Sequence, residues 1–276
     1  MSVLYIVALP IGNLKDITLR AIEVLNEVDI VLTEDTRSFK KLAYSYKISP
    51  KKVISFYKEV EKIKEDQVVQ WLKDGKKIAL CSEAGTPLLS DPGNLLVRRL
   101  YEEDIKIVPI PGPSSLTTAL SVCPFDLSQG FIFLGFLPRK EKEIENKLKK
   151  LPPDLPIVLF IPPHRFNRTI KSLVKYLGER EVFLARELTK VHEELKISTL
   201  TDLLHIEEIK GEITLIIGPR LEREENRKSI NLEDIKKDIL NFKRENFRPR
   251  EIVKKLREKY QISSKELYNL LKALKE

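Results

Sequence analysis

The sequence predicts two successive α/β domains followed by a small all-α, helix-turn-helix-like unit. Three observations carry that expectation. Short Ile/Val/Leu runs alternate with charged helical patterns through the first 220 of 276 residues. Those runs empty into turns rich in Gly and Pro. Three basic helical patterns then close the chain, with no strand among them. The expected boundaries are 1–114, 115–222 and 228–276.

In chain order, Val3 to Ala8 reads as a buried strand stopped by Pro10 and Gly12, and a helix is expected from near Asp16, with Leu19, Ile22 and Leu25 on its buried face. Ile30–Leu32 and Val53–Phe56 are the next strands, and Glu34-Asp35-Thr36-Arg37 places a cluster of charge at a strand end. The helix from Glu59 to Lys73 is expected to bury Val60, Ile63, Val68 and Leu72. Strands from Lys76 to Ser82 and from Lys106 to Ile110 follow. Between them, Asp91-Pro92 has the form of a helix start, a capping carboxylate before proline at the first helical position. This strand–turn–helix repetition implies a largely parallel sheet. Four more strands are expected at Phe131–Phe136, Ile157–Ile161, Val182–Leu188 and Ile213–Ile217, with helices at about Lys140–Lys150 and Arg168–Leu177. The tail helices are expected at Leu232–Phe242, Pro249–Tyr260 and Ser263–Leu274, after the linker Leu221–Asn226; Ser263 and Glu266 would form a capping box on the last.

Composition narrows the function. No apolar run approaches the ~20 residues a membrane-spanning helix needs, and the start has neither the basic region nor the cleavage site of a signal peptide. Two cysteines form no disulfide framework, and the expected location is the cytoplasm. No Cys/His cluster has metal-ligand spacing, so no metal is expected. The net charge of +8 is unevenly spread: residues 227–276 hold 15 basic and 8 acidic side chains, a net of +7, which leaves +1 for the rest. A basic appendage on a neutral body suits a polyanion, whose counterions are released on binding, although a solvated lysine surface has the same composition.

Ligands of open α/β sheets bind beyond the carboxyl ends of the strands. Four loops stand there: LPIGNL, TEDTR, SEAGTPLLSDPG and PGPSS. None is a P-loop or a dinucleotide fingerprint. Four Gly/Pro turns at equivalent strand ends nevertheless favour one shared ligand site, whose ligand class these residues alone leave open.

The order of LPIGNLKDITLRA, TEDTR, SEAGTPLLSDPG, PGPSS, GFLPRK, PPHRF, ARELTK and GEITLIIG resembles the successive motifs of the bacterial ribosomal RNA small subunit methyltransferase I family, within the tetrapyrrole-methylase superfamily. The resemblance covers residues 3 to 220 and departs from the pattern at Leu9, Glu83 and Ile161–Pro163. The basic tail resembles the extra C-terminal domain of some members. What the resemblance implies is a two-domain enzyme, usually a homodimer, with S-adenosylmethionine in the interdomain cleft. Its implied reaction is 2′-O-methylation of a cytidine ribose in 16S rRNA at the decoding centre of the small ribosomal subunit.

The donor site carried over by motif comprises Pro10, Gly12, Ser82, Gly85, Thr86, Pro87, Asp91, Pro111, Gly112, Pro113 and Ser114, with Leu137, Ala185 and Gly211 closing from the second domain. Asp91 has a competing role as helix cap. An activated sulfonium needs mostly alignment of the ribose oxygen, helped by a base or a cation. Candidates are Glu34, Asp35 and Arg37 on one loop and Arg186, Glu187 and Lys190 on another, any of which could equally form interdomain ion pairs. Strand alternation would set Arg186 and Leu188 on one face and Glu187 on the other. His164 and Arg165, beside Arg168, and the tail cations Lys236, Lys237, Lys243, Arg244, Arg248, Arg250, Lys254, Lys255, Arg257 and Lys259 are the RNA-backbone candidates. Two rival functions remain: C-methylation of a tetrapyrrole, and non-catalytic RNA binding in ribosome assembly. TEDTR, ARELTK and the basic tail favour RNA over the first, and the intact loop glycines and prolines disfavour the second.

Overall fold

The computed structural model describes residues 2–220, 232–245, 247–260 and 264–273. The chain forms two compact units, Met1–Arg220 and Leu221–Glu276. The first half of the larger unit runs β1 (Val3–Val7), α1 (Leu19–Glu27), β2 (Ile30–Thr33), α2 (Thr36–Ser45), β3 (Lys52–Ser55), α3 (Lys58–Lys73), β4 (Lys77–Cys81), α4 (Asn94–Glu102) and β5 (Ile107–Ile110). Its five strands are all parallel, in the order β3-β2-β4-β1-β5. Both faces are covered by helices, which is why β1, β2 and β4 are nearly unbroken apolar runs. Val7 lies level with Cys81 and Ile110, and Thr33 level with Cys81. That register brings the four loops to one edge of the sheet at one height.

The second half adds α5 (Ser115–Ser121), β6 (Ile132–Phe136), α6 (Glu141–Leu148), β7 (Ile157–Ile161), α7 (Phe166–Leu177), β8 (Glu181–Arg186), β9 (Glu194–Thr199), α8 (Leu200–Leu203) and β10 (Ile213–Ile217). Its sheet, β6-β7-β10-β8-β9, is mixed: β6 and β7 are parallel, and the other pairings are antiparallel. One face packs on α6, α7 and α8. The other receives α5 together with Ile11 and Leu89, which come from loops of the first half. The two sheets therefore share an apolar contact layer within one unit, and residues 114/115 fall between the sheets at the start of α5.

Several expectations are corrected. Leu14–Asp16 is a 3-10 turn, and α1 starts later, where the Thr18 hydroxyl accepts from Ala21 N at 3.1 Å. The TEDTR loop continues into α2, capped by Asp35, whose carboxylate accepts from Arg37 N at 2.7 Å. Lys40-Lys41, sitting among Phe39, Leu42 and Ala43, masked that helix in the sequence. The edge strand β9 is an addition: Leu195 and Ile197 alternate with Lys196 and Ser198, but at the sheet edge Leu195, Lys196 and Ile197 are all exposed, so no buried face marks it.

The largest correction concerns α4. Asp91 does not cap it: Gly93, at φ 121°, is the cap residue, and the helix starts at Asn94. The capping acceptor comes from α3 instead. Glu61 Oε1 accepts from the backbone N–H of Gly93 and Leu95 at 3.0 Å each and of Leu96 at 3.4 Å. Glu61 is buried for this purpose, whereas Ile63, expected inside, is 77% exposed. A negative group at a helix N-terminus is favourable because it satisfies orphan amides and complements the helix dipole.

In the smaller unit, α9 (Leu232–Arg244), α10 (Pro249–Tyr260) and α11 (Ser264–Ala273) pack around Ile235, Ile239, Ile252, Leu256 and Leu267. Glu251 caps α10 by accepting from Arg248 N at 2.8 Å. The expected linker Leu221–Asn226 and the Ser263 cap lie outside the described residues, as does the Glu266 side chain.

Candidate active site

The loops at the edge of the first sheet are joined by their own backbones. Leu9 and Gly85 exchange N–H···O bonds of 2.9 Å in both directions. Buried Ser82 donates its hydroxyl to the carbonyls of Ala84 (3.1 Å) and Gly85 (3.0 Å), and Thr86 Oγ1 donates to Pro113 O at 3.1 Å. Gly85, at φ 76°, turns where an L-residue would be strained. A Cβ on Gly112 would stand 3.0 Å from Ala8 Cβ, so the PGPSS loop lies directly on the end of β1.

The second half meets these loops closely. A Cβ on Gly12 would collide with the Lys190 stem and lie 2.9 Å from Thr189 Oγ1, and Asn13 N donates to that same oxygen at 3.0 Å. Gly135, at a bulge in β6, leaves room for Ser90, whose Oγ would be 2.9 Å from an added Cβ. Six described non-glycine residues have positive φ, and four of them, Leu88, Ser90, Glu187 and Thr189, sit on these two loops. Such strain persists where surrounding structure enforces it, and it concentrates at functional sites.

Between the halves lies a cleft of about 700 Å³. Pro10, Gly12, Glu34, Gly85, Thr86, Asp91 and Ser114 line it, bringing together seven of the sequence candidates. Ser82, Pro87, Pro111, Gly112 and Pro113 do not line it: Ser82 and Pro87 are buried, Pro113 is half-buried, and Pro111 and Gly112 are exposed. Ala185 is fully buried in the contact layer. Leu137 is buried, and its carbonyl accepts from the Arg165 guanidinium at 3.0 Å. Gly211, at φ 87°, abuts the Glu187 side chain, where a Cβ has no space.

Cleft residues that the motif carry-over omitted give each wall its character. Glu83 joins Glu34 and Asp91 on the first-half wall, and Phe136, Phe160 and Pro162 line the opposite one. Burial and then the neighbouring Glu83 charge raise the pKa of Glu34. Burial, followed by the charges of Glu34 and Glu83, pushes Asp91 up to about 7. Phe160 stands edge-on to Phe133 at 5.1 Å between centroids and 5.5 Å from Phe136. Its place on the alternate face of the IVLFI strand was the sequence signal for it.

The remaining candidates are engaged elsewhere. Arg37 is exposed and pairs with Asp35 at 3.7 Å. Arg186 pairs with Glu194 at 2.8 Å and lines a separate cavity of about 480 Å³. The strand ends at Arg186 and Glu187 turns at φ 50°, so the alternation expected through Leu188 does not hold. Glu187 Oε1 instead accepts from Lys190 Nζ and from Glu212 N, at 2.8 Å each, and Lys190 also reaches Glu212 Oε2 at 3.1 Å. The Lys190 bond holds the Glu187 carboxyl below its usual range. Burial works against the Lys190 ammonium, but Glu187 and Glu212 outweigh it and raise its pKa. His164 is exposed, and Arg165 and Arg168 are spent on the carbonyls of Leu137, Pro138 and Arg139. In the tail, Lys236, Lys237, Arg248, Arg250 and Lys254 are exposed, and Lys255 lies over the Phe247 ring at 4.9 Å. Among the described residues there is no cluster of His, Cys, Asp or Glu able to hold a metal ion and no helix long and apolar enough to cross a membrane.

The family described as Tetrapyrrole (Corrin/Porphyrin) Methylases matches residues 3–204. Ribosomal RNA small subunit methyltransferase I of Thermotoga maritima is 42% identical over 223 residues, covering 79% of this chain and 99% of the relative. The protein of the same name from Bacillus subtilis is 38% identical over 221 residues, covering 79% of this chain and 75% of the relative. Among solved structures, diphthine synthase superposes with a TM-score of 0.62 at 16% identity, over 79% of this chain and 90% of that one. Uroporphyrin-III-C-methyltransferase of Thermus thermophilus does so with a TM-score of 0.56 at 20% identity, over 79% and 94%. At those identities the structural likeness establishes the fold. A match over nearly the whole body, with relatives of one name, makes this chain a member of the tetrapyrrole methylase superfamily and, within it, of the ribosomal RNA small subunit methyltransferase I family.

Proposed function

We propose that the protein catalyses S-adenosylmethionine-dependent 2′-O-methylation of a cytidine ribose in 16S rRNA, at the decoding centre of the small ribosomal subunit. The observation that carries the reading is the cleft's division into an acidic wall and an aromatic one. The cavity lies within the ~300–1,000 Å³ of small-molecule sites. Glu34, Glu83 and Asp91 suit a ligand that is cationic at sulfur and amine, and Phe136 and Phe160 suit a purine. When bound, S-adenosylmethionine supplies an already activated methyl group.

The chain's own residues then have three tasks. The loops hold the reacting groups in line, the largest contribution available to such a transfer. The aromatic wall excludes water. Glu34, with its proton affinity raised, accepts the proton of the ribose hydroxyl, and Asp91 is the second acceptor on the same wall. Arg186, Glu187 and Lys190, held in ion pairs, orient their loops.

The tail cations Lys236, Lys237, Arg248, Arg250, Lys254 and Lys255, and His164 in the body, contact RNA phosphates. The Thermotoga relative is matched over 99% of its length by a share of this chain about the size of its body, which supports reading the tail as an addition that raises affinity for RNA. We further propose a homodimer acting in the cytoplasm.

The test is transfer of tritiated methyl from S-adenosylmethionine to hypomethylated 30S particles, with uroporphyrinogen as the competing acceptor, followed by mapping of the modified ribose. Label on uroporphyrinogen alone, or on neither acceptor, overturns the reading. Truncation after Glu225 is expected to leave donor affinity unchanged and to flatten the salt dependence of particle binding.

A further inference from the structure

Helix α2 leads out of the cleft. Ser38, Lys41, Leu42 and Ser45 line its mouth, and the Ser38 hydroxyl reaches Glu83 Oε1 at 3.5 Å. Its inner stripe, Phe39, Leu42 and Ala43, is buried against the first sheet. Its outer stripe is Arg37, Lys40, Lys41 and Tyr44, spaced i, i+3, i+4 and i+7 and so gathered on one face. Lys40 and Lys41 are exposed and have no ion-pair partner among the described residues. Arg37 has a 90% exposed side chain and only a long 3.7 Å contact to Asp35. Tyr44 is 89% exposed. At the end of the helix, the Tyr46 hydroxyl donates to Leu14 O and anchors α2 to the 3-10 turn beside the cleft.

Three cations and a fully presented aromatic ring on one rigid, anchored helix face are the elements of a single-strand nucleic-acid platform: charge for phosphates and a ring on which any base can stack. An acidic protein would be drawn to the same cations, but a stripe whose Lys41 also lines the mouth of the cleft is placed for the acceptor itself. We propose that this outer face of α2 is where the single-stranded acceptor RNA lies as it enters the cleft, with phosphates on Arg37, Lys40 and Lys41 and one base stacked on the Tyr44 ring. The inference rests on the methyl-transfer reading for the nature of the acceptor and adds the surface that presents it.

The test uses the full-length protein and the variants Lys40→Ala, Tyr44→Ala and Tyr44→Phe, with Lys150→Ala, an exposed lysine beyond the end of α6, as the charge-matched control. With hypomethylated 30S particles as acceptor, Tyr44→Ala is expected to raise the KM for particles about tenfold while Tyr44→Phe restores it, as loss and rescue of stacking require. Lys40→Ala should lower the log–log salt slope of RNA binding by about 0.7, one single-strand phosphate contact, while Lys150→Ala leaves it unchanged. Donor affinity, read by calorimetry with S-adenosylmethionine, stays at the wild-type value throughout. Particle KM and salt slope equal to wild type in both alanine variants overturn the proposal. A wild-type protein that methylates no particle overturns the functional reading instead. The α2 face is then judged by fluorescence anisotropy with a dye-labelled single-stranded RNA, where equal binding by wild type, Lys40→Ala and Tyr44→Ala refutes it.

Discussion

The two walls of the cleft are built in opposite ways. The first-half wall consists of loops at the ends of parallel strands. It carries three carboxylates, turns through left-handed backbone at Gly85, Leu88 and Ser90, and is held in shape by hydrogen bonds among its own loops and by Glu61 from α3. The second-half wall is mostly strand ends, with Phe136, Phe160 and Ile161 fixed by the pleat of β6 and β7. One wall supplies charge at a cost in strain and desolvation, and the other supplies an apolar surface of Phe136, Phe160, Ile161, Pro162 and Pro163, with the Glu212 beside it paired to Lys190. Substitutions in the first should therefore separate stability from ligand affinity, whereas substitutions in the second should lower both together.

The sharpest break is expected at Glu61. Its carboxylate lies outside the cleft, yet it holds the N-terminus of α4 and so the Leu88–Gly93 segment that presents Ser90 and Asp91. Glu61→Ala leaves three amides without their acceptor, and at ~1–3 kcal/mol for a buried unsatisfied group the loss should be on the order of 3 kcal/mol in urea denaturation. All three bonds end on Oε1, so Glu61→Gln retains the acceptor and gives up only the charge, a loss of about 1 kcal/mol or less. Equal losses in the two variants would mean that the charge, not the geometry, holds the loop.

Glu61 also shows where sequence reading stops. The five-fold alternation, the tail helices and the four loops were legible because each rests on local periodicity or punctuation, and strand register then assembled the loops into one site. Asp91-Pro92 has every local mark of a helix cap, but a carboxylate on a different helix took the position and left Asp91 facing the cleft. The one sequence trace is that Glu61 stands seven and eleven residues before Val68 and Leu72, on the same buried stripe. Likewise, Arg186 and Glu187 were candidates by motif, and only three-dimensional packing separates the first into another cavity and commits the second to Lys190. Glu83 and Phe160 were overlooked because an acid after a strand and an aromatic within one are ordinary until an opposite wall faces them.

On the aromatic wall, Phe160→Ala removes the ring that Phe133 and Phe136 pack against. Phe160 is half-buried, so about 2–3 kcal/mol is expected, below the ~3–5 kcal/mol of a fully buried Phe→Ala change. Donor affinity should fall with it. A variant that loses stability but binds S-adenosylmethionine normally would remove the aromatic surface from the donor site.

Asp91→Asn should move stability and affinity in opposite directions. The folded protein holds this carboxyl at about 7, far above the 3.8 of an unperturbed aspartate, so ionising it penalises the fold increasingly from pH 4 and fully above pH 7. Asn carries no such penalty. The melting temperature of Asp91→Asn should therefore exceed that of wild type by a few degrees at pH 8, and the gap should close as pH falls toward 4. A cationic donor favours the ionised carboxylate and lowers its pKa. Wild-type affinity should accordingly rise with pH up to about 7 and level off, with proton release on binding seen by calorimetry in buffers of different ionisation enthalpy. The variant should bind about tenfold more weakly at pH 8, roughly 1.4 kcal/mol, and show a flat profile.

The smallest effect is expected where the two walls are joined. Lys190 does two things: its stem fills the space beside Gly12, and its ammonium bridges Glu187 and Glu212. Lys190→Met keeps a stem of similar length and removes the charge. Both ion pairs are partly solvated, and Glu187 retains the backbone N–H of Glu212, so the loss should be about 0.5–1 kcal/mol and shrink further in high salt. Lys190→Gly removes the stem as well and lets the LPIGNL loop part from the ARELTK loop, so its donor affinity should fall while that of Lys190→Met holds. If Lys190→Met alone weakens binding about tenfold, the ammonium acts on the ligand directly, and the ion-pair triad is part of the site rather than a latch across it.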